Sequence, residues 1–151
     1  MDRAYRYEGQ ETETMKEYQR RNTKYILPGN LYMQTVYLIR DYHRMAEEAE
    51  AILEESPAPP DGQPRGTARP NQVEQKAMRR EKYLSIIGII REAKLAIPKE
   101  YRTGVWMNVM YAEKFPEDAG RATYGRYKSQ FVYEVAKKVY FLDEVETPGE
   151  K

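Results

Sequence analysis

The chain has 151 residues, 40% hydrophobic and 32% charged, with 25 Lys and Arg against 24 Asp and Glu and a formal net charge of +1. That balance favours amphipathic helices around a modest core, and it supplies no global attraction to nucleic acid. With no cysteine, disulfides and thiolate chemistry are excluded, and no run approaches the ~18 apolar residues of a membrane span, so a cytoplasmic protein without membrane contact is expected.

Residues 1–30 read as a polar arm rich in tyrosine (Tyr5, Tyr7, Tyr18, Tyr25) and without an apolar period. It is either frayed or a helix over Glu11 to Lys24 docked by its tyrosines. Leu27-Pro28-Gly29-Asn30 interrupts the chain, and Asn30 can cap the next helix. From there Leu31, Thr35, Leu38, Tyr42, Met45, Ala49 and Ile52 alternate steps of four and three, which predicts one helix over 31–55. Tyr32, Val36 and Ile39 widen its apolar face at the N-terminal end only.

The segment 56–71 carries Pro57, Pro59, Pro60, Pro64 and Pro70 with Gly62 and Gly66, and it reads as an extended connector. A second helix is predicted over 72–97, where Tyr83, Ile86, Ile90, Ala93 and Ile97 repeat the helical step. Gly88 inside it costs about 1 kcal/mol against alanine, which points to a close helix approach at that turn. The two one-sided seams are most simply buried against each other, as an antiparallel hairpin over 31–97. Charge fits this arrangement: 31–71 holds four basic and seven acidic residues, net −3, and 72–97 holds six and three, net +3. A homodimer through the same hairpin is the other use of such seams.

Pro98 suits the first turn of a third helix, with Tyr101, Val105, Trp106, Val109 and Met110 inward and Trp106 as its largest anchor. Pro116, Glu117 and Asp118 predict one short helical turn stopped by Gly120, and Thr123 or Asp118 can cap the last helix. On a wheel of Arg121 to Leu142, Tyr124, Tyr127, Phe131, Val135, Val139 and Leu142 form a core-facing stripe. Arg126, Gln130, Tyr133 and Lys137 fall opposite, in a segment (121–138) with five basic residues and one acidic, net +4. Cations for phosphates and Arg or Gln forks for base edges are what a helix in a major groove needs. A solvated amphipathic helix is the plainer reading of the same pattern. The fold class is all-α: a helical hairpin (31–97), a helix-turn-helix-like unit (98–142), and an acidic tail (143–151).

No enzyme is expected. The only histidine, His43, stands mid-helix beside Asp41 and Arg44, with no cysteine or convergent acid to make a metal or catalytic site. Asp61-Gly62-Gln63-Pro64-Arg65-Gly66 is too proline-broken for a phosphate loop. No metal and no cofactor is implied.

The stretch Ala96-Ile97-Pro98-Lys99-Glu100-Tyr101-Arg102, the subsequent Trp106 and Met110, and Thr123-Tyr124-Gly125-Arg126-Tyr127-Lys128 resemble the fourth region of sigma factors. The nearest likeness is to small phage late-transcription regulators of the RinA and ArpU type. Leu27-Pro28, Leu38-Ile39-Arg40-Asp41-Tyr42 and the 61–67 connector resemble prophage proteins of Gram-positive bacteria, so the likeness covers roughly 27–142. It implies a sequence-specific activator of phage late genes that binds double-stranded DNA with its last helix. Arg121, Thr123, Arg126, Tyr127 and Gln130 would then face bases, and Lys128 and Lys137 phosphates. Only Pro116–Ala119 is left for the helix that should precede the recognition helix. The alternative is a phage-encoded module that binds a host protein, RNA polymerase or a defence nuclease, through its helical surfaces.

Overall fold

The computed structural model of the chain describes residues 17–21, 23–55 and 70–142. The acidic tail, the first sixteen residues of the arm, and the connector up to residue 69 lie outside them. Five helices are present among the described residues: α1 (Gly29–Arg40), α2 (Tyr42–Glu55), α3 (Pro70–Leu95), α4 (Lys99–Tyr111) and α5 (Arg121–Val139). The described residues contain no strand, and the fold is all-α.

Two compact units divide the chain, and their boundaries run at Arg40/Asp41 and Gly88/Ile89. In the first, α1, α4 and α5 pack on one another in all three pairs. The core is Val36, Ile39, Ile90, Val105, Val109, Tyr124, Phe131, Val132 and Val135, each at most 2% exposed. The expected helix over 31–55 is two helices, broken at Asp41. That carboxylate accepts from Arg44 Nε (2.9 Å) and Nη2 (2.6 Å), and α2 restarts with Met45 N–H donating to the Asp41 carbonyl. The break separates two seams. α1 buries Tyr32, Thr35, Val36 and Ile39 against α4 and α5, while Leu31 and Leu38, expected at the centre, are only half-buried.

The second unit holds α2 and the first part of α3, with Met45, Ala49, Ile86 and Ile87 buried. The contacts between its helices run in antiparallel order. Arg44 lies over the Tyr83 ring at 5.8 Å, Arg80 Nε donates to the Ala49 carbonyl at 3.1 Å, and Lys76 pairs with Glu55 at 2.8 Å. Residues 71–79, by contrast, are exposed on every side.

Several local expectations are corrected. Asn30 lies inside α1 and does not cap it. The 116–119 segment is a turn, and Gly120 is the N-cap of α5 without a side-chain cap. Asp118 does not cap the helix; it accepts from the Tyr124 hydroxyl at 2.7 Å instead. Trp106 is half-exposed, with Lys94 Nζ 4.1 Å above its ring, and Tyr124 and Phe131 are the large buried anchors. The turn lies where Gly104 allows it to: a Cβ there would meet Tyr124 Cε1 at 2.6 Å and Pro116 Cδ at 2.8 Å.

Candidate nucleic-acid interface

α5 is fixed by the face it buries. Tyr124, Gly125, Ser129, Phe131, Val132, Val135 and Ala136 pack inward, so the opposite face is set by the helical period. Arg126 and Gln130 are exposed, one turn apart, and Lys137 comes after them, half-buried on the same side, 6.0 Å from the Tyr133 ring. Neither Arg126 nor Gln130 has a hydrogen-bonding or ionic partner among the described residues. Glu134, half-buried on that face, interrupts the line with an acid that has no place in the basic face expected from the sequence.

The other candidates do not join this line. Arg121 is exposed in the first turn but on the opposite side of the wheel, where it lines a cavity of about 750 Å³ with Arg20, Lys114 and Glu117. Thr123 is half-buried. Tyr127 stacks on Tyr101, with ring centroids 5.2 Å apart and planes 18° from parallel, so its ring belongs to the packing of α4 on α5.

Lys128 is the main correction. Its ammonium donates to Glu17 Oε2 (2.9 Å), Glu17 Oε1 (3.2 Å) and Asn108 Oδ1 (2.7 Å), and its side chain is 13% exposed. A lysine so placed is not on offer to a phosphate. Lys128 falls between Tyr124 and Phe131 on the buried side of the wheel, and that spacing is the signal the sequence carries for it. Burial pulls the ammonium below its ordinary range, and the Glu17 carboxylate opposes that pull.

Glu17 is the residue that sequence reasoning missed. Besides Lys128 it accepts from the Tyr32 hydroxyl (2.7 Å) and from Arg40 Nη2 (3.3 Å), so one carboxylate joins the N-terminal segment to α1 and α5. Residues 17–21 are not helical. They have no regular secondary structure, and the Gln19 amide bonds both backbone groups of Leu27 while Arg20 comes close over Gly125. Tyr25 then meets Tyr133 edge-on at 5.4 Å.

The described residues bring no three His, Cys, Asp or Glu side chains together as a metal site, and His43 is exposed beside Tyr42. No described helix is long and apolar enough to cross a membrane. Comparison of the chain with family models, with curated proteins and with solved structures returns no match.

Proposed function

We propose that the chain is a sequence-specific DNA-binding regulator of the phage late-gene class, with α4, the 112–120 turn and α5 as its helix-turn-helix-like unit and α5 as the recognition helix. One observation carries this reading. Arg126 and Gln130 stand unpaired among the described residues on the solvent face of a helix whose other face is locked to α1 and α4. Both side chains are forks suited to purine edges, Arg to guanine and Gln to adenine, and a rigid helix holds them in a fixed register. Lys137, further along the same side, supplies a phosphate contact. Lys128 and Tyr127 are left out of the interface, and so is Arg121, which lies on the opposite side of the helix.

The experiment is selection of a preferred site from random duplex DNA, with binding isotherms then taken at two salt concentrations. Arg126→Ala or Gln130→Ala should each cost roughly 1–3 kcal/mol on the selected site and little on unrelated DNA. Lys137→Ala should weaken both about equally and reduce the salt slope by about one. A double Arg126→Ala/Gln130→Ala variant that melts normally and binds the selected site at full strength removes α5 from recognition, and the reading with it.

A further inference from the structure

The first part of α3 carries an apolar stripe that no described residue covers. Val73 is 69% exposed and Leu84 41%. Ala77 and Gly88 are exposed in line with them. At about 100° per residue, these four positions fall within roughly 60° of the helix circumference. Burying apolar side chains is the ordinary source of helix stability, yet residues 71–79 are exposed all round.

Gly88 is an independent observation. A glycine within a helix is less stable than alanine, and it persists where a neighbour must come close. A Cβ built at Gly88 meets nothing within 4 Å, so no described part of the chain uses the space. The approach that Gly88 permits is open to a second chain.

Charge identifies what approaches. Glu74 and Glu81 flank the stripe on one side, and Lys76 and Arg80 flank it on the other. Lys76 also leans on Glu55, and Arg80 Nε on the Ala49 carbonyl, but the remaining guanidinium nitrogens of Arg80 have no partner among the described residues. We infer that this face binds a second copy of the same chain, with the two α3 helices side by side and parallel. In a parallel pair the acidic flank of each helix meets the basic flank of the other, and Lys76 faces Glu81 of the partner subunit. An antiparallel pair sets like flank against like flank and is repelled. Ala77 and Gly88, being small, let the two backbones approach, and Val73 and Leu84 fill the seam between them.

The chain has no cysteine, so the geometry can be read by cross-linking the full protein without DNA. The parallel pair places each residue of the stripe opposite its own copy. Ala77→Cys alone and Leu84→Cys alone should each form disulfide-linked dimers on oxidation. In sedimentation equilibrium the unmodified chain should dimerise, and Leu84→Glu or Glu81→Lys should weaken that dimer at least about tenfold. Gly88→Gln should also weaken it while the monomer's helix content and melting temperature hold, which separates lost association from lost folding. A chain that stays monomeric into the high micromolar range overturns the inference. So does cross-linking that appears only when Ala77→Cys and Leu84→Cys chains are mixed, the mark of antiparallel pairing. Because no DNA enters the assay, either result leaves the recognition reading of α5 standing or falling on its own test.

Discussion

Replacing Glu17 probes the first unit most directly. Its carboxylate is 9% exposed and accepts hydrogen bonds from Tyr32, Lys128 and Arg40, three side chains on two helices. Removing one partner of a buried ion pair costs about 3–5 kcal/mol, because the other charge is left uncompensated. Here the stranded groups keep some partners. Lys128 retains Asn108 Oδ1 at 2.7 Å, and Arg40 retains the Val109 carbonyl at 2.8 Å. Glu17→Gln, which preserves shape, therefore belongs at about 3 kcal/mol, and Glu17→Ala, which adds a void, nearer about 5. Urea unfolding monitored by far-ultraviolet circular dichroism reads this directly. With a slope of about 1–3 kcal/mol/M, a loss of about 3 kcal/mol moves the midpoint by roughly 1–3 M. Adding Lys128→Met to Glu17→Gln should restore most of the loss, since the unpaired ammonium is the source of instability in the single variant. A Glu17→Gln midpoint within about 0.3 M of the unmodified protein would show that the carboxylate clasps nothing of consequence.

Three other changes have signs fixed by local geometry. Gly104→Ala forces a methyl group into Tyr124 and Pro116 and should lower stability by about 1–3 kcal/mol in the same urea assay. Ala112 ends α4 at φ 57°, so Ala112→Gly should raise stability by up to about 1 kcal/mol through relief of left-handed strain. Burial, with help from Asp118, pushes the Tyr124 phenol up to about 12. The unfolded phenol releases its proton first, so the stability this group contributes is whole below about pH 10 and is lost as pH rises towards about 12. Tyr124→Phe should flatten that alkaline fall in urea melts taken across the range, and an unchanged slope would place the loss elsewhere.

How far the sequence announces this structure depends on the range of the interactions involved. The helices are legible because apolar residues recur at helical steps and because Pro28, Pro98 and Gly120 punctuate them. Their partners are not. The seam from Leu31 to Ile52 reads as continuous, yet α1 packs on α4 and α5, and α2 lies beside α3. In α5, wheel position alone suffices to find Arg126 and Gln130. Lys128 is misread when its charge is weighed above its position between Tyr124 and Phe131. Glu17 gives no local signal, since one acid among several in a polar arm looks like any solvated charge until the lysine 111 residues away is brought to it.

That separation also has a consequence for how the chain is made. α1 leaves the ribosome with Tyr32, Val36 and Ile39 facing nothing, for the helices that cover them are encoded after the whole of the second unit. At about 5–20 residues per second, Lys128 emerges after Glu17 by roughly 6–22 s. The second unit, contiguous in sequence apart from its connector, has its own contacts available throughout that interval. Nascent chains stalled between Gly88 and Arg121 should therefore protect α2 from protease while α1 stays open to cleavage, and protection of α1 should arrive only once α5 has been synthesised.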